Sequence, residues 1–164
     1  PATNEEGEVK KMKRVEVNDP VALCEVGKKH YHEGDFSAAF KYWKRAIEGE
    51  GPGAIGAHAH LSTLYEKGLG GAEKDEKKEL YHLEVASIAG HPTARCSLAN
   101  YEGRHGNEDR AVKHLIIAVK QGSTEAIQKF QKMYAQGMIK KEGYAACLRV
   151  YQKAVEATKS PQRE

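Results

Sequence analysis

The sequence is 164 residues long, and its 40% hydrophobic and 30% charged residues suit a single domain with a thin core and a large solvated surface. Its 26 lysines and arginines exceed its 23 aspartates and glutamates by too little to steer nucleic acid, and no apolar run approaches the roughly 20 residues that cross a bilayer. We therefore expect neither a nucleic-acid partner nor a membrane partner.

The first 19 residues form a polar segment, in which we expect little order beyond a short helix at residues 11–17. The basic run KKMKR at residues 10–14 fits a nuclear-import signal or a nucleic-acid contact, but such a run is more often the solvated end of a helix. The sequence does not establish whether it is a targeting signal.

From Ala22 onward the chain repeats itself at intervals of about 32 to 37 residues, the usual length of a helix-turn-helix repeat. Each copy begins with a segment of small residues, an aromatic residue and a closing glycine, which we call its A helix. A second segment follows, with apolar residues at helical spacing, which we call its B helix. The predicted A helices cover residues 20–33, 54–67, 92–104 and 123–136, and the predicted B helices cover residues 36–48, 74–89, 107–121 and 140–158.

These helix pairs define one repeat domain at residues 20–158, with repeats at 20–53, 54–91, 92–122 and 123–158, followed by a flexible tail at 159–164. Glycines that favour a left-handed C-cap follow the A helices at Gly34, Gly68, Gly106 and Gly137. Side-chain oxygens that can cap helix starts occur at Asp19, Asp35, Asn107 and Ser123. The positions of the predicted helix-capping residues therefore agree with the repeat pattern.

The three cysteines, Cys24, Cys96 and Cys147, are odd in number and lie far apart in apolar helical pattern. This arrangement favours reduced core thiols over a disulfide framework. We therefore expect a reducing compartment, the cytoplasm or the nucleus.

The second copy resembles a Sel1-like repeat, a relative of the tetratricopeptide repeat. The matching positions are Ala57, Leu61, Tyr65, Gly68, Gly70, Asp75, Ala86 and Gly90. The first and third copies look more like plain tetratricopeptide repeats. The resemblance implies an all-α fold, a right-handed α-solenoid of about four antiparallel helix pairs whose A helices line a concave groove. It also implies adaptor work in multiprotein assemblies, including ubiquitin-ligase complexes.

If the repeat register transfers, the concave face carries a set of mostly polar side chains that suit hydrogen bonding to an extended peptide or a partner helix. These residues are Lys28, Tyr31, His32, Thr63, Glu66, Asn100, Arg104, Gln128 and Lys132. Tyr31 and Arg104 are the preferred anchors, because aromatic residues and arginine are enriched in binding hot spots.

Catalytic and metal chemistry find little support in the sequence. His58 and His60 are two residues apart on a predicted helix and cannot chelate one ion from one face, and the other histidines have no partner at a zinc-binding spacing. GPGAIG at residues 51–56 matches a dinucleotide-binding pattern but joins two predicted helices rather than a strand and a helix. We expect no catalytic site, no metal and no cofactor.

The sequence therefore predicts an interaction scaffold that binds a partner protein or peptide in its concave groove. The alternative is a non-catalytic substrate- or partner-binding arm of a larger enzyme, such as a RING-type ubiquitin ligase. RNA binding is a third class, which Glu66 and the near-neutral charge disfavour. The partner's identity and the oligomeric state stay open.

Overall fold

The computed structural model describes residues 4–159, and within that range it contains nine α-helices and no strands. The helices are α1 (Asn4–Glu16), α2 (Pro20–His32), α3 (Phe36–Ala46), α4 (Pro52–Lys67), α5 (Glu76–Ile88), α6 (Pro92–Arg104), α7 (Glu108–Lys120), α8 (Thr124–Ala135) and α9 (Lys141–Lys159). The predicted all-α repeat fold is confirmed, and the A helices α2, α4, α6 and α8 and the B helices α3, α5, α7 and α9 begin and end within about two residues of their predicted bounds. Residues 160–164 of the expected tail lie outside the described residues.

Helix α1 is longer than the short helix that we expected, since it begins at Asn4 instead of near residue 11. Glu5 and Glu6 occupy its first turn, and Lys13 and Arg14 occupy its last. This distribution of charge matches the helix dipole, which compensates for the few apolar residues in the segment. Only Val15 of this helix is buried, so α1 is attached through its last turn.

Contacts within the chain divide it into two compact units, whereas the sequence suggested one repeat domain. The first unit ends at Ala89 and contains α1 to α5; the second begins at Gly90 and contains α6 to α9. In the first unit, α2 packs on α3, α4 packs on α5, and α2 and α4 lie side by side. In the second, α6 packs on α7, and α9 contacts both α7 and α8. Each unit has its own apolar core.

Small residues allow the A helices of the first unit to approach closely. A Cβ added at Gly53 of α4 would collide with the backbone of Pro20 on α2, and Ala57, one turn further along α4, is fully buried. The ring of Trp43 on α3 packs closely against Gly27 of α2, and its indole Nε1–H donates to the carbonyl oxygen of Cys24 at 3.2 Å. This close packing is the physical reason that the repeat needs alanine and glycine at these positions.

All four residues predicted as N-caps occupy N-cap positions, but only two of them make a side-chain cap bond. Asp19 accepts hydrogen bonds from two backbone N–H groups at 2.9 and 3.0 Å, and Asp35 accepts one at 3.0 Å. Asn107 instead donates its side-chain amide to the carboxylate of buried Glu102 at 2.8 Å, and Ser123 makes no side-chain cap bond. A buried carboxylate has a stronger need for a donor than an exposed helix end has for an acceptor.

Candidate functional site

The A helices of the first unit carry four polar candidate residues, of which Lys28 and Thr63 occupy equivalent repeat positions. Lys28 and His32 lie one turn apart on α2, and Thr63 and Glu66 lie about one turn apart on α4. His32 is exposed and the other three are half-buried, whereas the opposite sides of both helices face the core. All four side chains are thus at least partly accessible to a ligand, and the concave face that the repeat register assigns to them stays a prediction.

Lys28 carries its charge in a defined place on this face. Its ammonium group lies 2.8 Å from Oε1 of Glu25, one turn earlier on α2. That hydrogen bond raises the pKa of Lys28 and lowers the pKa of Glu25. Both side chains are partly exposed, so the pair contributes little to stability, and a ligand's carboxylate can compete with Glu25 for the ammonium group.

Tyr31 is placed differently from its neighbours on α2. Its ring centroid lies 5.2 Å from that of Phe36 and 5.7 Å from that of Trp43, and its half-buried side chain packs against the core of the first unit. The ring of His32 meets it edge-on at 6.1 Å. The contacts of Tyr31 thus join α2 to α3, and we assign it a packing role beside the anchor role suggested by the sequence.

Four of the nine candidate residues belong to the second unit. Asn100 is half-buried on α6, and Arg104 is exposed at the end of that helix, with its guanidinium carbon 5.9 Å from the Tyr101 ring centroid. Gln128 and Lys132 are exposed, one turn apart on α8. The candidates therefore form two sets, one on the A helices of each unit.

A pair of histidines, half-buried His58 and buried His82, joins α4 to α5. Nδ1 of His58 is 2.8 Å from Nδ1 of His82 on α5, and the Tyr65 ring stacks on His82 at 5.5 Å. Burial, followed by the neighbouring His58 and Lys44, lowers the pKa of His82 to about 4, and burial also lowers the pKa of His58. Both rings are therefore neutral near pH 7, one Nδ1 donating and the other accepting.

This pair could not be predicted from the sequence, since its members are on different helices and their spacing matches no motif. Within residues 4–159 no group of three or more histidine, cysteine, aspartate or glutamate side chains is placed to hold a metal ion. In the same range no helix combines the length and the apolar character that crossing a membrane requires.

The three cysteines are buried free thiols, as the sequence predicted. Burial raises the pKa of each, that of Cys147 to about 11. Thiols with such pKa values are protonated and unreactive near neutral pH, so they act as small apolar side chains.

Two solved structures share this arrangement of helices. A Sel1 repeat protein from Oxalobacter formigenes aligns with a TM-score of 0.62 and 24% identity, over 77% of this chain and 98% of that one. A protective antigen of uropathogenic Escherichia coli strains that displays an SLR fold aligns with a TM-score of 0.67 and 24% identity, over 90% of this chain and 32% of that one. No protein-family model and no curated protein matches the sequence. The helix pairs, their length and these two likenesses show that the chain has the Sel1-like repeat fold.

Proposed function

We propose that the chain is a non-catalytic scaffold of the cytoplasm or nucleus that holds a partner protein or peptide against the solvent side of its A helices. The observation that supports the proposal is that Lys28 and Thr63, which occupy equivalent repeat positions on α2 and α4, are both partly exposed polar residues. These helices are fixed to each other by buried alanine and glycine contacts, so the polar side chains are held in position before a ligand arrives.

Affinity capture with paired variants tests this proposal. Thr63→Arg places a long cationic side chain on α4 among the candidate binding residues. Glu84→Arg is the matched control, because it places the same side chain at an exposed position of α5. We expect proteins retained by the original chain and by Glu84→Arg to be lost with Thr63→Arg. Arg104→Ala tests the second unit in the same way, since this side chain is exposed and its removal leaves the core intact.

Circular dichroism must first establish that all variants have the same helix content and unfolding midpoint. If Thr63→Arg and Arg104→Ala retain the same proteins as the original, the A-helix face is not the binding surface. If the original chain retains no protein, the scaffold proposal fails. The alternative from the sequence, a binding arm of a larger enzyme such as a RING-type ubiquitin ligase, stays a prediction that the captured partners and the full-length protein test.

A further inference from the structure

A surface cavity on α3 lies away from the A-helix residues discussed above. Its volume is about 470 Å³, which is within the range of pockets that bind small ligands or side chains. It is lined by His30, Asp35, Ser37, Ala38, Lys41, Tyr42 and Arg45. Six of the seven lie on α3 or at its N-cap, so this helix and the last turn of α2 form the site.

All charged side chains of α3 are cations, and two of them line the cavity. The helix contains three cations, Lys41, Lys44 and Arg45, and no aspartate or glutamate. Lys41 and Arg45 are four residues apart on one face, a spacing at which like charges repel each other. In the described part of the chain neither of them forms an ion pair with a carboxylate. An anion bound between them would relieve this repulsion.

The guanidinium group of Arg45 is already fixed in position. Its Nη2 donates to the carbonyl oxygen of Val15 at 3.1 Å and to Oδ1 of Asn18 at 2.7 Å. Its Cζ lies 5.9 Å from the centroid of the Tyr42 ring. The cation therefore loses little conformational freedom when a ligand binds, which favours binding.

A stacked pair of aromatic rings lies next to the two cations. The ring of Tyr42 stacks on that of His30, with centroids 5.3 Å apart and planes at 12°. Tyr42 is half-buried, and with Ala38, one turn earlier, it offers an apolar surface beside the charges. A ligand that combines an anion with an apolar side chain would use both parts of this surface.

The other end of the cavity is acidic. Asp35 uses Oδ1 to cap α3, and its Oδ2 lies 3.5 Å from Nδ1 of His30. Glu33 is nearby, with its carboxylate 3.9 Å from the same nitrogen. A chain of phosphates that crossed the cavity would meet these carboxylates, whereas a peptide can place a single carboxylate at the basic end.

We propose that this cavity binds an acidic segment of a partner protein. One carboxylate of the segment lies between Lys41 and Arg45, and a neighbouring apolar side chain covers Ala38 and Tyr42. This inference rests on the proposed function, that the chain holds protein partners, and it adds a second surface and the chemistry that this surface recognises.

Nuclear magnetic resonance titration of the whole chain with acetyl-Glu-Glu-Phe-Glu-Glu-amide tests the proposal. The uncharged control replaces each glutamate of this peptide with glutamine. The protein variant is Lys41→Glu, and its matched control is Lys44→Glu, which makes the same charge change on the same helix outside the cavity. Lys44 faces His58 and His82, whose pKa values it lowers.

We expect the amide shifts that the acidic peptide causes to concentrate at residues 37–45. Lys41→Glu should raise the Kd about tenfold, since it replaces an attraction by a repulsion, and Lys44→Glu should change it by less than about threefold. The glutamine peptide should not bind, and added salt should weaken the acidic one.

Three results would overturn the assignment. They are equal effects of Lys41→Glu and Lys44→Glu, binding of the glutamine peptide with the same Kd, and tighter binding of an oligodeoxythymidine at the same residues. A failure here leaves the scaffold proposal standing if Thr63→Arg still abolishes partner capture. Conversely, peptide binding that persists in a chain that captures no protein supports the cavity and removes the scaffold proposal.

Discussion

Acidification should destabilise the first unit through the pair of His58 and His82. The two Nδ1 atoms are 2.8 Å apart, and His82, which packs against Tyr65 of α4, is only 4% exposed. A proton on His82 would add a buried charge near the cations of Lys44 and Lys78, which already lower its pKa. The folded state must therefore resist this proton, and the unfolded chain takes it up freely.

The size of the effect follows from the two pKa values. Histidine has its ordinary value of 6.5 in the unfolded chain, and His82 has a value of about 4 in the folded chain. Because the unfolded state binds the proton first, stability is complete above about pH 6.5 and decreases as the pH falls toward about 4. The expected loss in the free energy of unfolding is about 2 kcal/mol between about pH 7 and about pH 5.

Urea unfolding followed by circular dichroism at these two pH values measures the loss. His82→Phe keeps an aromatic ring against Tyr65 but cannot make the hydrogen bond to His58, so the variant should be less stable near pH 7. Because phenylalanine cannot bind a proton, the variant should lose about 2 kcal/mol less on acidification. His105→Phe is the control, since His105 is an exposed histidine whose ring also stacks on a tyrosine, 4.2 Å from Tyr101. Equal losses in the original chain and in His82→Phe would refute the reasoning.

Three further measurements, two on variants and one on the original chain, test the packing. Gly70→Ala should lower the free energy of unfolding by about 2 kcal/mol or more, because Gly70 has a φ of 71° and its Cβ would collide with the carbonyl of Phe36; urea unfolding measures it. Phe130→Ala should cost about 3 to 5 kcal/mol in the same assay, whereas Tyr134→Ala, at an exposed site, should cost much less. Cys147 should not react with a disulfide reagent near pH 8 until denaturant is added, and rapid labelling of the native chain would contradict its burial.

Helix positions were predictable because local chemistry determines where each helix begins and ends. Asp19 and Pro20 start α2, and Gly68, with a φ of 68°, ends α4 with its N–H on the carbonyl of Leu64. Asn107 is the N-cap residue of α7 as predicted, but it makes no side-chain cap bond, and its amide donates to the nearby buried carboxylate of Glu102. That competition arises from how α6 packs on α7, and the residues around Asn107 carry no sign of it.

The concave face of the A helices stays a prediction of the repeat register. Core residues recur at helical spacing, and Lys28 and Thr63, which lie between core positions of α2 and α4, are half-buried. The register could not place Tyr31, because the direction of its ring depends on Phe36 and Trp43 of the following helix. An aromatic residue at the end of an A helix, followed by an aromatic start of the B helix, is the signal that favours packing there.

The α3 cavity could not be predicted from the sequence pattern. Lys41 and Arg45 at helical spacing predict only a solvated basic face, and the bonds from Arg45 to Val15 and Asn18 depend on where α1 ends. Trp43, on the same helix, donates to the carbonyl of Cys24 on α2 and stacks on His60 of α4 at 4.7 Å. It thereby ties α3 to both A helices of the first unit.

Within the first unit, this connection links the cavity on α3 to α2 and α4 through closely packed helices. Closely packed helices do not deform when one surface binds a ligand, so occupancy of one surface should not reshape the other. The binding losses caused by Thr63→Arg and by Lys41→Glu should therefore add, to within about 0.5 kcal/mol, for a partner that contacts both surfaces. A larger coupling in that double-mutant cycle would mean that α3 moves relative to α4 on binding, and that the contacts of Trp43 do not hold the two helices together.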